Sequence, residues 1–121
     1  MPLRVPLLRL GSTLIASIQD ALSDEALRKL QSRILGEVVQ SKVKGVIIDV
    51  SALDVLDSFG TRILCDIAAG IQLRGARAVI VGIQPEVAYA MVLLGLTMGD
   101  VETALDLDVG LEILERRVPA C

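Results

Sequence analysis

The sequence contains no histidine, and this absence excludes several common kinds of catalysis. Ser-His-Asp and Cys-His sites need an imidazole, as do most zinc hydrolases. Aromatic residues are almost as rare, with one Phe, one Tyr and no Trp. The sequence therefore disfavours most familiar enzyme classes and predicts a core built from Leu, Ile, Val and Ala.

Cysteine and clustered positive charge are also scarce. Cys65, within an apolar helical pattern, is expected to be a buried core thiol, and together with Cys121 it fits neither a disulfide framework nor a zinc motif. The net charge is −3 and the Lys and Arg residues form no cluster, so nucleic acid and a membrane surface are not expected partners. No run approaches the roughly 20 apolar residues of a membrane span, and the N-terminus lacks signal-peptide features. We therefore expect a cytoplasmic protein that uses no metal or other cofactor.

The length of 121 residues is typical of one compact domain, so we expect a single domain over residues 1–121. Strand-like and helix-like patterns alternate along it. The strands are predicted in "VPLLRL", "TLIASIQ", "VIIDV", "AVIVGI" and "VETAL", and the helices over residues 23–42, from about Ser58 to Gly75, over Pro85–Leu94 and over Asp106–Arg117. This order predicts an α/β fold with a mixed, mainly parallel five-stranded sheet, an N-terminal β-hairpin and about four helices.

The stretch "VIIDVSALDVLDSFGTRIL", residues 46–64, leaves a buried strand, passes through an acidic loop and reaches Ser58 at a helix start. In parallel sheets, functional loops collect beyond the carboxyl ends of the strands. Ser58 could cap the helix, although Asp57 could do so equally well. It could instead accept a phosphate, which would meet the free N–H groups and positive dipole of the helix start. The residues alone leave both roles open.

Two catalytic interpretations of this loop fit less well. A serine nucleophile needs a neighbouring base and a strained Gly-x-Ser-x-Gly turn, whereas Ser58 lies in "LDSFG" with no lysine in the loop. A phosphorylated aspartate would point to Asp49, but that chemistry also needs early acids to hold Mg²⁺, and the first strand carries Arg4 and Arg9. We expect Asp49 to be structural and the protein not to be an enzyme.

The residues around Ser58 form a candidate partner surface. Its apolar loop residues could contact a partner or fold back onto the core. The predicted partner-binding residues are Leu53, Asp54, Val55, Leu56, Asp57, Phe59 and Gly60. Thr61, one helical turn further on, could be a secondary phosphate acceptor or a simple first-turn hydroxyl. Another apolar run, "LLGLTMG" at Leu93–Gly99, could be a self-association surface or part of the core.

The order of elements together with "VIIDVSALDVLDSFG" resembles the STAS family, the fold of anti-sigma-factor antagonists. In that family a serine or threonine at the start of the second helix is phosphorylated by a dedicated kinase. The blocks "LIASIQ", "VGIQPEVA", "LLGLTM" and "VETALDLDVGLEIL" are similar to small, single-domain STAS members of the stressosome. The resemblance implies a STAS fold with Ser58 as the phosphoacceptor. Asp57 and Gly60 match the motif, whereas Phe59 replaces the small or hydroxylated residue of many members.

The same resemblance implies partners and a mechanism. Such proteins assemble with each other and with larger RsbR-like STAS paralogues into a large cytoplasmic complex that holds an RsbT-like serine kinase. Phosphorylation of the scaffold releases the kinase to a downstream partner, and an RsbX-like phosphatase resets the system. Two other functions stay open: a free anti-sigma-factor antagonist that competes for an anti-sigma kinase, and a nucleotide-binding module with weak hydrolase activity.

Overall fold

Five strands alternate with four helices in the computed structural model, which describes residues 5–20, 23–93, 95 and 101–116. The strands are β1 (Leu7–Leu10), β2 (Thr13–Ser17), β3 (Gly45–Asp49), β4 (Arg77–Val81) and β5 (Glu102–Ala104). The helices are α1 (Asp24–Gln40), α2 (Ser58–Leu73), α3 (Pro85–Leu93) and α4 (Leu107–Glu115). The predicted α/β alternation is confirmed.

The strands form one sheet in their sequence order. β1 pairs antiparallel with β2 through a turn at Gly11, whose φ of 62° suits glycine. The other three pairs are parallel, so the predicted mixed sheet with its N-terminal hairpin is confirmed. Parallel pairing brings the carboxyl ends of β2, β3 and β4 to the same edge of the sheet. The loops that lead to α2 and α3 begin at this edge.

Alternate residues of the central strands pack against different helices. Val46 and Ile48 join a core cluster with α1 and α2, whereas Ile47 and Val81 pack on the opposite face against α4. The helices approach the sheet closely. At Gly110 of α4, an added Cβ would lie 2.7 Å from Val81 Cγ1. Helices on both faces explain why β3 and β4 are nearly continuous apolar runs.

The helix ends agree with the signals in the sequence. Ser23 caps α1 by accepting a hydrogen bond from Ala26 N at 3.1 Å, and Pro85 begins α3. Gly75 and Gly95 follow α2 and α3 with φ values of 87° and 72°. Glycine adopts this left-handed conformation without the strain that a side chain would add.

Cys65 is only half-buried, so the prediction of a buried core thiol is wrong. Its neighbour Leu64 lies inside the core at 1% exposed, and Cys65 stands at the margin of that buried stripe. Burial, and secondly the nearby carboxylate of Asp66, raise the pKa of the Cys65 thiol.

Part of the predicted association segment falls outside the described residues. Of residues 93–99, the structure describes Leu93 and Gly95. Arg117 and Cys121 lie outside the described residues. Within the ranges given above, no helix is both long and apolar enough to cross a membrane.

Candidate functional site

The loop between β3 and α2, residues 50–57, is anchored in its first half. Asp49 Oδ1 accepts a hydrogen bond from Ser51 N at 2.9 Å, and Leu53 N donates to Val50 O at 3.0 Å. The Leu53 side chain is 7% exposed and belongs to the core. The loop therefore leaves the sheet along a defined path. Asp49 thus has the structural role that the sequence predicted, because its carboxylate accepts the bond from Ser51 N.

The connection between β4 and α3, residues 82–84, braces the same loop from the neighbouring strand. Gln84 Nε2 donates a hydrogen bond to Ser51 O at 2.8 Å. Gly82 has a φ of 81°, and a Cβ added there would lie 2.7 Å from Ser51 Cβ. A side chain at this position would therefore force the two loops apart. Sequence analysis missed Gln84 because it lies 33 positions from Ser51 and no local pattern indicates the contact.

The start of α2 is capped by Asp57. Asp57 Oδ1 accepts a hydrogen bond from Gly60 N at 2.7 Å, and Asp57 O accepts one from Thr61 N at 2.9 Å. A Cβ at Gly60 would lie 3.1 Å from Leu56 Cδ1 and 3.2 Å from Asp57 Oδ1, closer than ordinary van der Waals contact. Glycine at this position lets the loop and the cap close tightly onto the helix.

Ser58 is the first residue of α2 and is exposed. Because the carboxylate of Asp57 supplies the cap, α2 does not need the Ser58 hydroxyl for that bond. A phosphate on Ser58 would lie at the beginning of a 16-residue helix, where the first backbone N–H groups have no acceptor within the helix. Ser58 therefore does not cap α2, and its exposed hydroxyl is available for modification.

The predicted partner residues divide by exposure. The exposed members are Asp54, Val55 and Asp57, the half-buried members are Leu56 and Phe59, and the buried members are Leu53 and Gly60. The Leu53 side chain packs in the core and so is not part of an exposed contact surface. Val55 is 71% exposed and remains available for a partner.

Thr61 lies on the buried side of α2. The residue is 4% exposed, and its Oγ1 has no hydrogen-bond partner within the described part of the chain. A kinase could reach this hydroxyl only if the first turn of α2 opened. The structure therefore argues against Thr61 as a secondary phosphate acceptor.

Phe59, directly after Ser58, contacts α1. The guanidinium carbon Cζ of Arg28 lies 5.6 Å from the centroid of the Phe59 ring, within the range of a cation–π interaction. Phe59 also packs against the core cluster. The aromatic residue at this position thus helps to hold the start of α2 against α1.

A shallow apolar pocket lies between the start of α1, the loop and the start of α2. It encloses about 80 Å³ and is lined by Ile18, Asp24, Leu27, Leu53, Val55, Leu56, Asp57, Gly60 and Leu64. The charged lining residues, Asp24 and Asp57, are both acidic, which is unfavourable for the phosphates of a nucleotide. Among the residues that the structure describes, no cluster of His, Cys, Asp and Glu is arranged to hold a metal ion.

Comparison with known proteins agrees with the architecture and with the predicted resemblance. Residues 5–107 match the STAS domain, and the chain belongs to this family. Within the family it is similar to RsbS: the structure of the S58E variant from Moorella thermoacetica is 34% identical, with a TM-score of 0.79, and covers 93% of this chain and 95% of that one. A chain in a structure of the stressosome is 32% identical, with a TM-score of 0.74, over 91% of this chain and 96% of that one.

A longer relative shows the same likeness over part of its length. The RsbT co-antagonist protein RsbRA of Bacillus subtilis strain 168 is 27% identical over 101 residues. The aligned region is 80% of this chain but only 37% of RsbRA, so the chain spans little more than a third of that protein.

Proposed function

We propose that this chain is a non-enzymatic scaffold of a cytoplasmic stressosome, similar in role to RsbS, that holds an RsbT-like serine kinase and releases it when Ser58 is phosphorylated. The observation that carries the proposal is an exposed Ser58 at the start of a helix that Asp57 already caps. Modification of such a serine leaves the cap in place and so acts on partner binding more than on folding. The similar RsbS structure carries S58E, a change that places a carboxylate at a serine position.

The charge of the phosphate provides the switch. A phosphoserine carries about −2 charge at neutral pH, and the exposed carboxylates of Asp54 and Asp57 belong to the same loop and helix start. At a separation of ~6 Å, each pair of unit charges interacts by roughly 0.7 to 3 kcal/mol as the effective dielectric constant falls from 80 to 20. A charge of this size added at the contact surface would change the affinity of a partner by about tenfold or more.

Partners of this kind are supported by the relatives. RsbRA is named as a co-antagonist of RsbT, and one similar chain comes from a stressosome structure. We therefore propose an RsbT-like kinase, an RsbR-like STAS paralogue, further copies of this chain and an RsbX-like phosphatase as partners. Ser58, Asp54, Val55 and Asp57 form the exposed surface that the kinase would contact.

Binding of an RsbT-like kinase to serine variants tests the proposal. We expect Ser58→Ala to bind the kinase as tightly as the unmodified chain and to stay bound with ATP present. We expect Ser58→Asp to bind the kinase at least about tenfold more weakly, because its carboxylate reproduces part of the negative charge of the phosphate. Isothermal titration calorimetry gives both affinities. The matched control is Ser32→Asp, which adds the same charge at an exposed serine of α1. Equal affinities for Ser58→Ala and Ser58→Asp would refute the switch.

The modified residue itself is identified by mass spectrometry. The purified chain is incubated with Mg-ATP alone and with Mg-ATP plus the kinase, and the phosphopeptides are mapped. Phosphate on Ser58 only when the kinase is present supports an external kinase and an inert scaffold. Phosphate acquired from Mg-ATP alone would show that the chain is an enzyme.

Size-exclusion chromatography with an RsbR-like paralogue separates the stressosome role from that of a free anti-sigma-factor antagonist. A scaffold is expected to enter a particle of very large mass, whereas a free antagonist would elute as a monomer or dimer. The similarity to RsbS and to the stressosome chain, over more than nine tenths of each, favours the scaffold.

A further inference from the structure

The contact between the β4–α3 connection and the β3–α2 loop suggests a role for a residue outside the predicted partner surface. We infer that Gln84 is a positioning residue for Ser58: it holds the loop of residues 50–57 through Ser51 and thereby sets how the loop and Ser58 are presented to the kinase. The inference rests on the proposed function for its biological meaning, whereas the tether itself is a property of the unmodified chain.

Both backbone polar groups of Ser51 are bound by side chains. Its N–H donates to Asp49 Oδ1 at 2.9 Å, and its carbonyl oxygen accepts from Gln84 Nε2 at 2.8 Å. Asp49 ends the same strand that leads into the loop, so its bond is local. The bond from Gln84 comes from the next connection of the sheet and therefore restrains the loop from outside. Ser51 is exposed, and water would otherwise satisfy its carbonyl without restraining the chain.

Gln84 is itself held in place on its own side. Its main-chain carbonyl oxygen accepts a hydrogen bond from Ala88 N at 2.9 Å, in the first turn of α3. Pro85, which follows Gln84, has a restricted φ. At Gly82 the two connections meet so closely that an added Cβ would lie 3.1 Å from Ser51 Cα. The side chain of Gln84 thus joins two backbone segments that lie in close contact at Gly82.

The restraint reaches Ser58 along a short path. After Ser51 the chain turns, with Leu53 N bound to Val50 O and the Leu53 side chain in the core. The exposed residues Asp54 and Val55 follow, and the path ends at the Asp57 cap. The first turn of this path is fixed from outside by Gln84 and the end by the helix. Without Gln84 the first turn would keep the bond from Val50 N to Val81 O and the Leu53 side chain in the core, but the carbonyl of Ser51 would lose its restraint.

Hydrogen exchange on the unmodified full-length chain tests the tether, with Gln84→Ala and Gln84→Glu as variants. Glutamate keeps the shape but presents a carboxylate, which cannot donate to Ser51 O, so both variants should behave alike. We expect the amides of Ser51 and Leu53 to exchange roughly threefold to tenfold faster, as loss of one net hydrogen bond implies. The amides of Ile47 and Ile48 in β3 should be unchanged, which shows that the fold persists. Gln40→Ala, at an exposed glutamine that ends α1, is the matched control.

Kinetics of phosphorylation by the kinase test the positioning of Ser58. Because Gln84 acts on presentation and not on phosphoryl transfer, KM for the chain should rise about threefold or more while kcat stays within about twofold. Wild-type exchange in both Gln84 variants would overturn the tether. Faster exchange with an unchanged KM would overturn the positioning role. Absence of phosphate on Ser58 in the wild-type chain would refute the proposed function instead, and the exchange rates would still decide the tether.

Discussion

Helices α2 and α3 both follow parallel strands and both begin at the same edge of the sheet, yet they are buried to very different extents. α2 has seven buried residues among 16, whereas α3 has two among nine, Val87 and Met91. The outer residues of α3 are apolar as well: Tyr89, Val92 and Leu93 are 67%, 74% and 69% exposed. An apolar composition therefore does not by itself bury a helix.

The spacing of the apolar residues explains the difference. In α2, Ile63, Ile67 and Ile71 recur every four positions and are 3%, 0% and 0% exposed, which makes one stripe that faces the core. In α3 apolar residues occur around the whole helix, so packing one face leaves the others in water. Ser58 thus begins a helix that is packed firmly on the core, whereas α3 is linked to the loop by the hydrogen bond of Gln84.

The largest expected effect comes from truncating one aliphatic side chain on each helix. We expect Ile67→Ala in α2 to lower the free energy of unfolding by about 2 to 5 kcal/mol, since it opens a cavity at a fully buried position. Val92→Ala in α3 should change it by less than about 0.5 kcal/mol, because the side chain is 74% exposed. Urea denaturation followed by circular dichroism measures both. A comparable loss in Val92→Ala would show that the outer face of α3 is covered in solution.

A smaller effect sharpens the assignment of the α2 cap. We expect Asp57→Ala to lower the free energy of unfolding, measured by the same urea denaturation, by about 0.5 to 2 kcal/mol, because Gly60 N loses its acceptor. Ser58→Ala should stay within about 0.5 kcal/mol of wild type, since Ser58 is exposed and does not provide the cap. Asp106→Ala serves as the matched control, because Asp106 caps α4 in the same way, accepting from Val109 N at 3.0 Å. If Ser58→Ala were as costly as Asp57→Ala, Ser58 would share the capping role.

The smallest effect concerns the buried side of α2. Thr61→Val removes a buried hydroxyl without a hydrogen-bond partner while keeping the shape of the side chain. We therefore expect stability to be unchanged or to rise by up to about 1 kcal/mol. Thr61→Ser, which keeps the hydroxyl and loses a methyl group, is expected to be less stable than wild type, and thermal unfolding ranks the three proteins. A clear loss of stability in Thr61→Val would mean that the hydroxyl is bonded in solution.

Much of the site was predictable because its signals are local. The apolar run of β3, the acidic loop and the spacing of Ile63, Ile67 and Ile71 place Ser58 at a helix start without any tertiary information. The choice between Asp57 and Ser58 as the cap was not predictable, since both residue types cap helices and the outcome depends on loop geometry. The same holds for Leu53 and Val55, two apolar residues two positions apart with opposite exposure.

The sequence by itself determined the order of strands and helices, the aliphatic core and the position of Ser58, because hydrophobic period and capping chemistry act over a few neighbouring residues. Only the tertiary structure decided that Gln84 reaches Ser51, that Thr61 is buried and that α3 keeps an apolar face in water. These features depend on how parallel pairing places β3 beside β4 and on which helix face meets the sheet. Such contacts join residues far apart in the chain, and no local pattern encodes them.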